Sequence, residues 1–380
     1  MLTLRIQRLS CSCSRASQSS RSYSLQSALP PLPPHKGWKA RFPIQNTLRR
    51  ERALVSNPDT ARLVARSFLP ESASNDGGKI VIEAFPGPGA LSRAMLELPS
   101  SRLRKLIILE DDQMYLSALQ PLEAADPRVK VVPMSGHNWE TYAHLEEHGL
   151  LEGLVPQSWD GPVPNLHFVS HLPINVKGEQ LIAQLFRSIP ERSWLFQYGR
   201  VPMSIVLSDH VWSRLTAPPR NTRRCKLTVI AEATAQIEEV VSPERLAPYE
   251  EHFYPVGLHG SALAKGSRKV GQPMHAFTAT PYVEQVIQRG DTDKWDFCLR
   301  RLFVLKNTPL KSALNSLAPG AIALVNTLQD TRLPLAERVK PTKCIKDLTV
   351  ADWALLLRAF NNWPFRPEDL MITDAFKDED

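Results

Sequence analysis

Short apolar segments alternate with segments of helical periodicity from residue 79 onward, and this alternation limits the fold more than any other feature. The apolar segments predict buried strands at residues 79–85, 105–110, 129–133, 166–170, 194–198 and 226–231. The intervening segments predict helices at residues 91–98, 114–122, 179–186 and 206–215. Because strands joined by helices form parallel sheets with both faces covered, the sequence predicts a doubly wound, mostly parallel α/β fold.

The alternation ends near Val241, where the chain becomes rich in proline and then regains helical periodicity. The best helical segments are residues 295–305 and 350–360, and the hydroxyl of Thr349 is placed to cap the second of them. A smaller helical C-terminal domain is therefore predicted. The predicted divisions are a leader and linker at residues 1–37, the α/β domain at 38–250, a proline-rich link at 251–290, the helical domain at 291–370 and an acidic tail at 371–380.

The first 50 residues hold nine of the 46 basic side chains and no acidic one. Apolar residues near the N-terminus can share one face of a helix opposite Arg5 and Arg8. A basic, acid-free segment of this kind is typical of a mitochondrial transit peptide, and a disordered basic tail is the alternative. We therefore expect a protein of the mitochondrial matrix.

Composition narrows the class of protein further. Beyond the first 50 residues the chain carries 37 basic and 39 acidic side chains, so any nucleic-acid site must be a local patch. No apolar run reaches the 18 or so residues that a membrane-spanning helix requires, and we expect no stable membrane insertion. The five cysteines include no C-x-x-C pair, which argues against a disulfide framework and against a metal site.

The segment VIEAFPGPGAL at residues 81–91 predicts a buried strand, a tight turn and the start of a helix. Gly87 and Gly89 allow the backbone to turn sharply and to approach a ligand closely. Glu110 ends the next predicted strand, where a carboxylate can accept hydrogen bonds from the two hydroxyls of a ribose. The spacing favours an adenosyl-type site over a plain turn. Ser92 replaces the third glycine of a dinucleotide fingerprint, which disfavours a nicotinamide-dependent oxidoreductase.

Glu83 with the sequence GPGALS at residues 87–92, followed by ILEDD at 108–112, resembles two signatures of the rRNA adenine N6-dimethyltransferases, E-x-G-x-G-x-G-x-L-T and E-x-D. That family includes the fungal mitochondrial transcription factors of the B type. Further matches follow in chain order at residues 198–200, 214–217, 226–229, 297–303, 348–353 and 363–367, so the resemblance covers roughly residues 41–370. It implies a Rossmann-like methyltransferase sheet. The residues that it implies for S-adenosyl-L-methionine are Glu83, Phe85, Gly87, Gly89, Glu110 and Ser135.

The departures from the family pattern concern cofactor binding and catalysis. Phe85 stands where the family has its first loop glycine, and Ser135 stands where an acid is expected to contact adenine. The family's N-L-P-Y catalytic loop corresponds to His171, Leu172, Pro173 and Ile174. A neutral His171 can accept one hydrogen bond from an adenine amine, but Ile174 offers no aromatic face for the base. Together these replacements point away from catalysis and indicate that binding of S-adenosyl-L-methionine is weakened or lost, so no residue is assigned a catalytic role.

Nucleic-acid contacts are predicted at local basic clusters. The tightest cluster consists of Arg220, Arg223, Arg224 and Lys226, and a second consists of Lys265, Arg268 and Lys269. A few phosphate contacts give modest, salt-sensitive binding, and a solvated basic face is the alternative interpretation. The aromatic residues considered for stacking on an unpaired base are Trp139, Tyr142 and Trp212, although core packing is the commoner role of such residues.

Two functional hypotheses follow from the resemblance. The first is a mitochondrial transcription initiation factor on a methyltransferase scaffold, with the mitochondrial RNA polymerase and promoter DNA as partners. The second is a mitochondrial rRNA adenine N6-dimethyltransferase that uses S-adenosyl-L-methionine. The replaced catalytic loop favours the first hypothesis, whereas Gly87, Gly89 and Glu110 keep the second open.

Overall fold

The computed structural model describes residues 29–44, 47–71, 77–256 and 270–370. In chain order its strands are β1 (Leu54–Val55), β2 (Lys79–Ala84), β3 (Leu103–Leu109), β4 (Val129–Val132), β5 (Leu166–His171), β6 (Met203–Ser208), β7 (Ala235–Val241), β8 (Phe253–Tyr254) and β9 (Met274–Pro281). Its α-helices are α1 (Trp38–Arg41), α2 (Thr47–Arg50), α3 (Pro58–Phe68), α4 (Ala90–Leu96), α5 (Gln113–Ala125), α6 (Trp139–Glu147), α7 (Val176–Glu191), α8 (Asp209–Leu215), α9 (Lys226–Thr234), α10 (Tyr249–His252), α11 (Thr292–Phe303), α12 (Leu310–Ala313), α13 (Leu324–Leu328) and α14 (Val350–Asn361). The predicted transit peptide up to residue 28, the cluster at Lys265, Arg268 and Lys269, and the acidic tail lie outside the described residues.

Within the described ranges the central sheet has the strand order β4-β3-β2-β5-β6-β9-β7. Neighbouring strands from β4 through β6 are parallel, whereas β9 runs antiparallel to both β6 and β7. Helices connect the parallel strands, as the alternation in the sequence predicts. The predicted doubly wound, mostly parallel sheet is confirmed.

The central strand β2 separates two hydrophobic layers. Ile80 and Ile82 pack into the core that continues into the C-terminal helices, whereas Val81 packs into the core beneath α3 and α4. Side chains alternate between the faces of a strand, so a strand covered on both faces consists almost entirely of apolar residues. The carboxyl ends of these strands all meet at one edge, where Ala84, Leu109 and His171 deliver the loops of the candidate site.

Two predicted strands are wrong. Residues 194–198 form a short 3-10 helix at Trp194–Tyr198, and the strand follows as β6, which the sequence had placed partly within a helix at 206–215. Residues 226–231 belong to α9, whose N-cap residue Cys225 forms a capping box with Thr228. Nearly all of α9 is buried, and a short helix that is apolar on every side cannot be told from a buried strand by periodicity.

A further strand lies within the range that the sequence assigned to the proline-rich link. β9 pairs with β6 on one side and with β7 on the other, for example through Phe277 opposite Ile205. The prolines Pro273 and Pro281 flank or end this strand, where a missing backbone donor does little harm. The central sheet therefore extends beyond residue 250.

The helical C-terminal region forms as predicted. The Thr349 hydroxyl accepts a hydrogen bond from the backbone N–H of Asp352 at 3.2 Å, and the Asp352 carboxylate accepts one from the Thr349 N–H at 2.9 Å. This capping box starts α14, which stacks Phe360 on Phe297 of α11 at 5.8 Å between ring centroids. Among the helices in the described ranges, none is both long enough and apolar enough to span a membrane.

Candidate functional site

The turn after β2 has the conformation that its glycines allow. Gly87 and Gly89 adopt positive φ angles of 60° and 83°. A Cβ atom on Gly87 would lie 2.5 Å from Cδ2 of Leu54 in β1, and its positive φ would strain any other residue, so both features favour glycine here. The loop therefore approaches the N-terminal segment of the chain closely at this point.

Phe85, which the resemblance aligns with a loop glycine, has a backbone conformation that glycine adopts readily. Its φ angle is 58°, a region that costs a bulky residue on the order of 1 kcal/mol or more. The side chain is 7% exposed, and its ring lies 5.6 Å from the guanidinium carbon of Arg52. Burial of this ring against a cation offsets the backbone strain and places an aromatic side chain inside the predicted cofactor site.

Glu110 follows β3 at the predicted position, and Arg52 occupies both of its carboxylate oxygens. Nη1 of Arg52 donates to Oε1 at 2.9 Å and Nη2 donates to Oε2 at 2.7 Å. The backbone N–H groups of Asp111 and Asp112 also donate to Oε1, at 3.1 and 3.0 Å. The Glu110 side chain is 0% exposed. Ribose hydroxyls can reach this carboxylate only if Arg52 leaves it.

Arg52 belongs to residues 47–55, which we call the strap, and several contacts hold the strap across the site. Arg49 of the strap donates to both oxygens of Asp112 at 2.7 and 2.9 Å. The carbonyl of Glu51 accepts a hydrogen bond from the N–H of Ile174 at 2.7 Å. β1, at the end of the strap, pairs with β8. The strap therefore joins the adenosyl loop region to the loop at 171–174.

The electrostatics of Arg52 follow from its surroundings. Burial alone lowers the pKa of a guanidinium, but the charge and hydrogen bonds of Glu110 outweigh burial and raise the pKa of Arg52 above its ordinary value. The ring of Tyr115 lies 4.8 Å from the guanidinium carbon. A carboxylate and two aromatic rings thus surround one permanently charged group.

Glu83 is buried in β2 and interacts with the residue that replaces the third glycine. The Ser92 hydroxyl donates to Oε2 of Glu83 at 2.6 Å. Burial raises the pKa of Glu83 to about 7, against a partly opposing effect of the Ser92 hydrogen bond. Glu83 therefore changes its charge within the neutral range of pH.

Substitution E83Q is expected to change how stability depends on pH. Because the folded state holds the Glu83 proton more tightly than the unfolded state, the wild-type chain loses stability as the pH rises from the unfolded pKa through about 7. E83Q removes this loss, so its free energy of unfolding, relative to wild type, rises by about 2–3 kcal/mol between about pH 5 and pH 8. Urea unfolding of both proteins across this range measures the difference. A difference that is independent of pH would contradict the assignment.

The loop at 171–174 lies beneath the strap. His171 ends β5 and is buried, and burial followed by the charge of Arg52 lowers its pKa to about 3, so the imidazole is neutral at pH 7. Its Nε2 has no hydrogen-bond partner within the described part of the chain. Leu172, Pro173 and Ile174 are also buried. The loop therefore presents one neutral imidazole and no aromatic face.

The remaining cofactor position, Ser135, and the three candidate aromatic residues have different surroundings. Ser135 is half-buried, and its carbonyl accepts a hydrogen bond from the Thr141 hydroxyl at 2.7 Å. Tyr142 is buried and donates to a backbone carbonyl, whereas Trp212 stacks on His275 at 5.0 Å between centroids. Trp139 is 45% exposed and packs against Trp194 at 4.6 Å. Of the three candidates, Trp139 offers the largest free surface.

The four residues of the predicted basic cluster fall into two groups, one bonded inside the protein and one at the surface. The guanidinium of Arg224 is buried, donating to the carbonyls of Ala217 and Leu348 and pairing with Glu232. The ammonium group of Lys226 lies 2.9 Å from an oxygen of Asp296 in α11, and burial lowers its pKa. These two residues join the region of α8 and α9 to the C-terminal helices.

The other two residues of the cluster lie at the surface. Arg220 is exposed, and Arg223 is half-buried and donates to the Ser213 hydroxyl at 3.1 Å. A groove of about 520 Å³ opens beside Arg223, and its lining includes Arg214, Arg223 and Lys306. None of the lining residues in the described part of the chain is acidic. This groove, which we call the basic groove, is electrostatically suited to an anion.

Arg52 was not among the residues predicted from the sequence. It lies 58 positions before Glu110, and their contact depends on how the strap crosses the sheet edge. Arg49 and Arg50, just before Glu51, are the only hint in the sequence of basic partners for a buried acid. They also fit the acid-free segment of the first 50 residues, so the hint is weak. A basic segment that ends just before a predicted fold can equally provide internal partners for buried acids.

A parallel sheet with a glycine-containing turn after one strand and an acid at the end of the next defines the class of Rossmann-like methyltransferase folds. The model of the family described as ribosomal RNA adenine dimethylase matches residues 72–361, and the chain belongs to that family.

Relatives in the family have two kinds of names. Mitochondrial transcription factor 1 of Lachancea kluyveri is 24% identical over 308 residues, which cover 79% of this chain and 86% of the relative. Mitochondrial dimethyladenosine transferase 1 of Bos taurus is 25% identical over 280 residues, 73% of this chain and 75% of the relative. The crystal structure of a dimethyladenosine transferase from Plasmodium falciparum shares the fold with a TM-score of 0.50 at 15% identity, covering 81% of this chain and 97% of that chain. The relatives' names support a mitochondrial location for this chain.

Proposed function

We propose that the chain is a mitochondrial transcription initiation factor that assists promoter melting by the mitochondrial RNA polymerase. The observation that supports this most strongly is the similarity to a fungal factor named Mitochondrial transcription factor 1, which extends over 79% of this chain. We place the protein in the mitochondrial matrix, with residues 1–37 as its transit peptide and linker.

The chemistry of the site supports a factor over an enzyme. The lone pair of an adenine amine is delocalised into the ring, so methyl transfer requires hydrogen-bond acceptors and a stacking surface that hold the base in position. Here the loop offers His171 as one acceptor, while Ile174 has an aliphatic side chain and donates its backbone N–H to the carbonyl of Glu51 in the strap. A stacking aromatic is worth about 1–3 kcal/mol per base, so its absence alone removes much of the required positioning.

The arrangement does not fit S-adenosyl-L-methionine. Arg52 holds both oxygens of Glu110, and Phe85 occupies space beside the loop that a glycine would leave open. We propose that the protein works without this cofactor. An rRNA dimethyltransferase activity, the alternative supported by relatives such as the Bos taurus enzyme, requires both groups to move.

The proposed nucleic-acid contacts lie at the basic groove and at Trp139. Arg223 and Lys306 line the basic groove, and Arg220 is exposed three residues before Arg223, an arrangement that suits the phosphates of a separated promoter strand. The exposed face of Trp139 suits stacking on an unpaired base. Phosphate contacts position the strand, while stacking favours single-stranded over paired DNA.

Run-off transcription on a linear promoter template tests the proposal. The mitochondrial RNA polymerase is assayed with and without the purified full chain, and a template with a scrambled promoter is the control. We expect promoter-specific transcripts only when the chain is present. Equal transcription without the chain would overturn the proposed function.

The double variant R220A/R223A is expected to weaken binding of single-stranded DNA and to reduce its salt dependence. Each phosphate contact on a single strand contributes about 0.7 to the slope of log affinity against log salt, so the slope falls by about 1 to 1.5. Fluorescence anisotropy at several salt concentrations measures this slope. Variant R62A is a matched control, because Arg62 is half-buried on α3, as Arg223 is in the groove, and pairs with Asp59 and Glu97 outside the basic groove. An unchanged slope in the double variant would show that the groove does not contact phosphates.

A further inference from the structure

The Arg52–Glu110 pair has the geometry of a ligand interaction formed within one chain. The guanidinium presents two parallel N–H donors to the two oxygens of Glu110, at 2.9 and 2.7 Å. The two adjacent hydroxyls of a ribose present two donors to a carboxylate in a comparable way. Both sets of donors compete for the same oxygens, so the two interactions exclude each other.

Two aromatic rings beside Arg52 also resemble the surroundings of a bound nucleoside. The guanidinium carbon lies 4.8 Å from the Tyr115 ring and 5.6 Å from the Phe85 ring. Planar groups, whether a guanidinium or a nucleobase, stack favourably on such rings. A buried carboxylate with two aromatic rings suits a nucleoside better than it suits a simple cation or an amino acid.

We infer that Arg52 is a built-in substitute for a nucleoside and that it keeps the ancestral adenosyl pocket closed; a chain that lacks this side chain takes an adenine nucleoside at Glu110. This inference rests on the proposed function, in which the pocket serves no catalysis. It assigns to Arg52 the task of excluding the cofactor and to Glu110 the task of anchoring the strap.

The strap gives Arg52 a large advantage over any free ligand. Arg49 bonds to Asp112, Glu51 bonds to Ile174 and β1 pairs with β8, so the guanidinium is held at its binding position. A group tethered by a short segment acts at an effective concentration in about the millimolar range or above. A nucleoside at lower concentration cannot displace it, whereas removal of the side chain leaves the acceptors of Glu110 available.

Calorimetric titration with adenosine tests the inference, because this probe presents the ribose hydroxyls and the base without the amino-acid part of the cofactor, whose space Phe85 occupies. Variant R52A is compared with wild type and with R49A, which removes the neighbouring ion pair of the strap but leaves Arg52 in place. We expect R52A to bind the probe at least about tenfold more tightly than either control, and the added substitution E110Q to abolish the gain. Equal binding by all three proteins, or binding by wild type at micromolar concentration, would overturn the inference.

A second variant guards against misfolding of R52A. Variant R52Q keeps a donor for Glu110 but loses the bidentate fork and the charge, so we expect an intermediate gain in probe binding. Probe-dependent increases in the melting temperature of folded R52A or R52Q, and none for R49A, support the inference. Folded R52A and R52Q that both fail to bind would refute it. Run-off transcription by wild type is measured separately, so failure of the proposed function does not mimic failure of this inference.

Discussion

Substitution R52A is expected to lower the free energy of unfolding by about 3–5 kcal/mol, because it leaves a buried carboxylate without its partner. Glu110 is 0% exposed, and two backbone N–H groups then remain as its principal donors. Urea unfolding measured at neutral pH gives the difference from wild type. An effect below about 1 kcal/mol would show that Glu110 gains water or a proton at little cost, contrary to the packing described above.

Two further variants separate the cost of leaving the Glu110 charge unpaired from the cost of lost packing around Arg52. R49A removes a half-buried pair at the rim of the site and is expected to cost less than R52A. The double variant R52M/E110L replaces the buried pair by apolar side chains of similar size and is expected to be more stable than R52A alone. The single variants R52M and E110L complete the comparison. If their effects on the free energy of unfolding sum to that of the double variant, Arg52 and Glu110 do not interact in the way proposed.

Substitution R224A is expected to lower the free energy of unfolding by about 3–5 kcal/mol, although it lies in a cluster predicted to bind nucleic acid. The side chain is 0% exposed and donates to the carbonyls of Ala217 and Leu348. Its removal leaves two buried acceptors unsatisfied, at about 1–3 kcal/mol each, and opens a cavity. Thermal and urea unfolding measure the loss.

R220A provides the matched control for this prediction. Arg220 is exposed four residues earlier, and its substitution is expected to change the free energy of unfolding by less than about 0.5 kcal/mol. In DNA binding the order is reversed. We expect R220A to weaken binding, whereas folded R224A keeps it. A stable R224A variant with weakened DNA binding would contradict the structural role of Arg224.

The sheet could be predicted from the sequence because its strands are short, apolar and separated by helical segments. β2, β3, β4 and β5 fall within one or two residues of their predicted ranges. The α9 segment could not be assigned correctly because nearly all of its residues are buried, which removes the period of 3.6. β9 escaped prediction because it pairs with strands distant in sequence and because prolines stand at its ends.

The candidate site was predictable only in its local parts. The turn at Gly87 and Gly89 and the acid Glu110 follow from spacing within one strand-helix-strand unit. The occupation of Glu110 by Arg52 depends on the path of the strap, and the burial of Arg224 depends on how the C-terminal helices dock. Long-range contacts of this kind leave no period or spacing in the sequence.

The chain's own contacts hold the edge of the sheet at the candidate site. Phe85 packs against Arg52, Arg52 pairs with Glu110, and Glu51 of the strap accepts a hydrogen bond from the backbone N–H of Ile174. Under the proposed function, these contacts order this edge of the sheet without a cofactor.

The claim that the chain assists transcription and transfers no methyl group is tested most directly by assaying one preparation for both activities. The purified chain is incubated with unmethylated small-subunit rRNA and S-adenosylmethionine carrying a labelled methyl group, beside an active bacterial dimethyltransferase as positive control. We predict specific run-off transcripts from this preparation and no label in adenine. Stoichiometric label in adenine would contradict the account, because it would require Arg52 and the strap to leave the pocket that they close.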